Sequence, residues 1–121
     1  MDIEKLKRRW EREDNLKIES AISKFIEDEQ GRKFLWWLLE IGRIGMQPYT
    51  SNALNTAFNC GELNIGQRIL ERIITVSPDG YLLMMKENER ERRERDAEIS
   101  RTLDDPTDEL GEEDGEAASR T

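Results

Sequence analysis

Apolar residues recur along this chain at helical spacing, and no stretch sustains the alternation of a strand. Ile3, Leu6 and Trp10 fall at i, i+3 and i+7 within the charged segment DIEKLKRRWERE, which predicts a helix over 2–13 with a thin apolar stripe. Such a helix is marginal alone and is expected to dock on something or fray. From Leu16 the pattern strengthens: Ile18, Ala21, Ile22, Phe25 and Ile26 form one face, and Gly31 marks a break. The next helix, GRKFLWWLLEIGRIG, is apolar around most of its circumference. With Phe34 at the origin and about 100° per residue, Trp37, Leu38 and Ile41 cluster beside it. Leu35 and Leu39 widen that arc to about 140°, and Trp36 falls near 200° beside Arg43. A helix of this kind is either central to a fold or keeps a second face for a partner.

Gly42 and Gly45 end that helix, and Met46-Gln47-Pro48-Tyr49 reads as a loop. Thr50 or Ser51 can cap a short helix carrying Ala53, Leu54, Ala57 and Phe58, closed by Gly61. Another helix follows from Glu62, with Leu63, Ile69, Leu70, Ile73 and Ile74 spaced for burial. Gly66 lies on that face and lets another backbone come close. Ser77-Pro78-Asp79 is a helix start: an N-cap oxygen, a proline at the first helical position and a negative charge in the first turn. The helix it opens carries Tyr81 to Met85 and then becomes wholly polar, supported by pairs such as Glu89–Arg93 and Glu91–Arg95. The expected fold is all-α, a small bundle of about five helices. A charged N-terminal helix (1–15) precedes a core domain (16–86), followed by a solvated charged helix (87–101) and a disordered acidic tail (102–121).

Composition explains why the core domain is placed centrally. Of 121 residues, 36% are hydrophobic and 38% charged, and six of the eight aromatics lie between Phe34 and Tyr81. Residues 86–121 carry 7 basic against 14 acidic groups, most of the net charge of −8. An acidic total repels phosphate and favours basic partner surfaces. The longest apolar run, Phe34 to Leu39, is far below the roughly 20 residues of a membrane span, and no signal peptide is visible.

Catalysis has little to work with. Histidine is absent, removing the commonest general base and metal ligand. Cys60 is the only cysteine, sits among apolar residues, and reads as a buried structural thiol. Asp104, Asp105, Asp108 and Glu109 lack the residue order of a calcium loop. Lys7-Arg8-Arg9 with Arg12, and Arg90 with Arg92, Arg93 and Arg95, are interleaved with acids and read as solvated faces. Two helices around Gly61 would suit a helix-turn-helix, but the second offers only Gln67, Arg68 and Arg72 toward DNA. No cofactor and no metal are implied. Trp36-Trp37 stands out, because adjacent helical positions diverge by about 100° and two indoles do not readily enter one small core. Either one covers a groove under the N-terminal helix near Trp10, or one meets a partner.

The segments FLWWLLE (Phe34–Glu40), N-x-x-x-T-A-F-x-x-G-x-x-N-x-G (Asn52–Gly66) and Pro-x-x-Tyr (Pro78–Tyr81) together resemble a family of small proteins from the structural gene module of short-tailed bacteriophages. The resemblance implies a virion-associated or assembly role and supplies no catalytic residues. It marks Gly61 and Gly66 as turn or close-packing positions, Asn64 as a helix start, and Pro78 as a cap. The expected function is a non-enzymatic structural, assembly or ejection protein, found in the host cytoplasm during assembly and then in the virion. Its partners are other phage virion proteins, with self-association left open and no sequence-specific nucleic acid. The expected contact residues are Trp10, Trp36, Trp37, Leu39 and Arg43. The alternative is a small acidic regulator that covers a basic protein surface.

Overall fold

A computed structural model describes residues 2–105, which form four α-helices and no strand. The chain divides into two units, residues 1–85 and 86–121. The fold is all-α, as the spacing predicts, but with four helices where about five were expected: neither the gap before Leu16 nor Gly61 interrupts a helix.

The first helix, α1, runs unbroken from Ile3 to Glu27. Asp2 caps it, its side chain accepting the Glu4 N–H at 3.0 Å. The expected gap near Asp14-Asn15 contains neither glycine nor proline, so nothing stops the backbone ladder there. Asn15 also anchors the middle of the helix, its Oδ1 accepting from Arg72 Nη2 at 2.8 Å. The break comes at Asp28, one extended residue, and α2 spans Glu29–Ile41. Gly31 is therefore not the break. It lies buried in the first turn of α2, where a Cβ would fall on the backbone of Phe25. Arg32 Nη1 donates to the Ile26 carbonyl at 2.8 Å, satisfying an end-of-helix acceptor of α1.

The end of α2 fits a six-residue closing motif. The Ile44 N–H reaches the Leu39 carbonyl at 3.0 Å, and the Arg43 N–H reaches that of Glu40 at 2.9 Å. The residue that must turn left-handed in this motif is Arg43, at φ 58°. Glycine occupies the preceding position instead, because Gly42 lies directly against Gly66: a Cβ on either would strike the other's backbone. Gly45 is left-handed as well, at φ 84°.

The third helix, α3, spans Ala53–Val76. Its N-cap is Asn52, whose Oδ1 accepts from Leu54 N (2.9 Å) and Asn55 N (3.2 Å). Of the two expected caps, Thr50 does other work. Thr50 exchanges hydrogen bonds with the Asn52 backbone and meets the Thr56 hydroxyl at 3.0 Å. Helix α3 passes straight through Gly61 and Asn64, so Gly61 closes no helix and Asn64 starts none. A helix-turn-helix around Gly61 is thereby excluded. Ser77 ends α3 and opens α4 (Pro78–Asp104), its Oγ accepting the Gly80 N–H at 2.9 Å with Pro78 first in the helix.

Within residues 1–85 the buried core is Leu35 and Leu39 from α2, Ile73 from α3 and Met84 from α4. Ile22, Ile26, Trp36, Leu38, Ile44, Ile69, Leu70 and Tyr81 pack around it.

In the second unit α4 is held by its own side chains. Arg92 forks onto Glu89 (Nη2–Oε1 2.6 Å, Nε–Oε2 3.1 Å) and reaches Asp96 at 3.0 Å, and Arg93 meets Glu89 at 3.2 Å. Arg95 pairs with Glu91. The hydrogen bond from Arg92, opposed by desolvation and aided by the Arg92 charge and by Arg93, holds the Glu89 carboxyl below the usual carboxylate range. The helix continues through Thr102–Asp104, where disorder was expected. The rest of the expected acidic tail, 106–121, lies outside the described residues.

Candidate docking face

Helix α2 has two apolar faces that point in different directions. Leu35 and Leu39 define the inward one, together with Gly31 and Gly42, and all four are buried. The outward one carries Phe34, Trp37 and Ile41, all exposed, with Trp37 at 52%. Phe25 of α1 is exposed too and extends this face across the short link. The rings form a ladder: Phe25 to Phe34 at 5.5 Å, and Phe34 to Trp37 at 5.9 Å, both tilted. Separations of 4.5–7 Å with offset or tilted planes are those favoured by ring quadrupoles, so the three side chains brace one another. An open groove of about 440 Å³ runs beside the ladder, lined by Ala21, Lys24, Phe25, Asp28, Gly31 and Phe34 among others. Its lining is mostly apolar, with Lys24 and Asp28 as charged groups of opposite sign.

The expected contact residues fare differently. Trp37 lies in the ladder. Trp36 turns inward, half-buried, its ring 6.5 Å from that of Tyr81. Leu39, at 2% exposure, belongs wholly to the core, so it cannot be a contact residue of the folded chain. The helical turn explains this: Leu39 lies about 100° from Leu38 and nearly over Leu35, on the glycine side. Arg43 bends back onto its own loop, Nη2 donating to the Gln47 carbonyl at 3.3 Å, while its buried Nε makes no hydrogen bond among the described residues. Trp10 is exposed but lies 15 positions before Phe25 on α1, about 22 Å away along the axis, and joins no ring in the ladder.

Sequence reasoning left open which side of this helix would face a partner, and it did not name Phe25 or Phe34 among the contact residues. The missing signal was the glycines. Gly31 and Gly42 project on the same side of α2 as Leu35 and Leu39, and small residues mark the side where another backbone approaches.

Cys60 is exposed, not buried, because a continuous α3 turns it to the side opposite Gly66 and Ile73. Among the described residues no group of three or more Cys, Asp or Glu converges as a metal site. No helix of the described residues is long and apolar enough to cross a membrane. What the arrangement offers chemically is a braced aromatic surface beside an apolar groove. The class defined is an all-α protein with an unfilled hydrophobic face. Comparison with protein-family models, curated proteins and solved structures gives no match.

Proposed function

We propose that this chain is a virion-associated structural, assembly or ejection protein of a short-tailed phage that acts by docking on another phage protein. The ladder Phe25–Phe34–Trp37 and its groove form the contact. One observation carries the docking: α2 completes its packing through Leu35 and Leu39, yet holds a second set of large apolar side chains in solvent. Exposed aromatics of this kind anchor interfaces, since each buries a large area with few rotors to freeze. The assignment to phage rests on the resemblance carried by Phe34–Glu40, Asn52–Gly66 and Pro78–Tyr81. Mass spectrometry of purified particles tests it: the polypeptide should travel in the virion. Trp37→Ala and Phe34→Ala change exposed side chains and should leave the circular dichroism intact while sharply reducing incorporation. Unchanged incorporation of both variants would remove the docking face, and absence of the wild-type chain from particles would remove the phage role.

A further inference from the structure

Helix α3 carries another apolar surface, separate from the aromatic ladder. Leu54, Phe58 and Ile65 are 82%, 68% and 56% exposed. Gly61 lies among them in the sequence, and a Cβ built there would meet no atom within 4 Å. Positions 54, 58, 61 and 65 are spaced four, three and four, the a/d rhythm of a helix–helix seam, and helical register gathers them within an arc of about 60°. The surroundings are also unusual for this chain. In the 24 residues from Ile44 to Gln67, Glu62 is the only charged side chain, whereas 38% of the whole sequence is charged.

We propose that this stripe is where a second copy of the chain binds, with the two α3 helices antiparallel. The pattern is self-complementary. One two-fold axis, passing between Asn59 and Cys60, sets Phe58 of each copy over Gly61 of the other. The same axis sets Leu54 opposite Ile65. A large ring thus meets the one position with no side chain, twice, and the outer pair is large against large. Such reciprocity is what an isologous contact requires.

Charge favours the same occupant. Two chains of net charge −8 repel one another over most of their surfaces, and residues 44–67 are the stretch where they do not. A strongly basic or acidic partner finds almost no counter-charge there. Six large side chains, three from each copy, suit a contact at or below the low end of the roughly 1,200–2,000 Å² of specific interfaces, so the dimer is reversible.

Sedimentation velocity of the full chain, from low micromolar to near-millimolar concentration, reads the equilibrium directly. The wild type should pass from monomer to dimer. Phe58→Arg should weaken association by about tenfold or more, and Gly61→Ala should weaken it while leaving the monomer as well folded as before. Cys60, the single cysteine, is exposed on the far side of α3 and accepts a spin label, so pulsed dipolar distances report the geometry. In this dimer the labels flank the axis on two helices about 8–10 Å apart, giving one narrow distribution at roughly 20–30 Å. A chain that stays monomeric throughout overturns the proposal. So does a dimer that ignores Phe58→Arg and Gly61→Ala but is lost with Trp37→Ala. That second result would place self-association on the aromatic ladder and leave the docking face in use.

Discussion

Two glycines five residues apart in α3 have opposite surroundings. Gly66 is buried, and a Cβ there would fall on the carbonyl of Gly42, which caps α2. Gly61 is exposed, and a Cβ there would meet nothing. Each costs the helix up to about 1 kcal/mol relative to alanine. At Gly66 the loss is offset by the close approach of two backbones, which brings the α2 and α3 ends of the core together. At Gly61 nothing among the described residues offsets it. Glycine inside a helix is favoured by a neighbour at close range, and where the described residues supply none, a partner surface is a place to seek it.

The same substitution at the two sites should move stability in opposite directions. Gly66→Ala must push two backbones apart, and neither is a flexible side chain that can yield. Loss of about 2 kcal/mol or more is expected, seen as a fall of roughly 10 °C in thermal midpoint by circular dichroism. Gly61→Ala should raise the midpoint by a few degrees, reflecting a gain of about 0.5–1 kcal/mol, when measured dilute enough for the chain to be monomeric. If both variants lose stability alike, Gly61 has an intramolecular role and the contrast fails.

The helical character, the stripe over Ile22 and Ile26, the close-packing role of Gly66 and the Ser77-Pro78 start were all legible in the sequence, because each depends on residues within one or two turns. What was not legible depended on which neighbour arrives. Gly61, Gly31 and Asn64 are ordinary boundary residues, yet helices pass through them, since a glycine ends a helix only where a left-handed turn follows, as at Gly42 with Arg43 after it. Thr50, Ser51 and Asn52 are all competent caps, and Asn52 prevails because Thr50 is engaged with Thr56. The divergence of Trp36 and Trp37 was legible from the helix alone. Which of them faces solvent was decided by where α3 and α4 settle: Gly66 against Gly42, and Tyr81 against Trp36.

A third position sharpens the comparison from the other side, because there glycine is missing where local geometry asks for it. Arg43 holds φ 58° in the closing turn of α2, a conformation costing a residue with a Cβ about 1 kcal/mol. The glycine stands one place earlier, where Gly66 requires it. Arg43→Gly relieves the strain and removes a buried Nε that lacks a hydrogen-bond partner among the described residues. A stabilisation of about 1 kcal/mol is expected, read from denaturant midpoints at unchanged slope. A net loss would mean that the arginine stem and its bond to the Gln47 carbonyl contribute more than the turn strain removes.

The smallest effect is expected where no backbone packing is involved, in residues 86–104, which are held by exposed ion pairs. Glu89 has its titration lowered by the Arg92 hydrogen bond, so its contribution is present above the unfolded carboxylate value. It is lost as pH falls through the depressed folded value, which puts the window in acid, below the ordinary glutamate range. Arg92 is shifted upward by the same pair and so stays charged throughout. Acidification should therefore lower helical ellipticity slightly, before the packed helices respond, and Glu89→Gln should remove part of that early phase. Added salt should mimic the substitution, because exposed pairs are screened. If Glu89→Gln leaves the early acid phase unchanged, the fork on Arg92 does not hold this helix, and the phase belongs to other pairs such as Glu91 with Arg95 and Asp96 with Arg92.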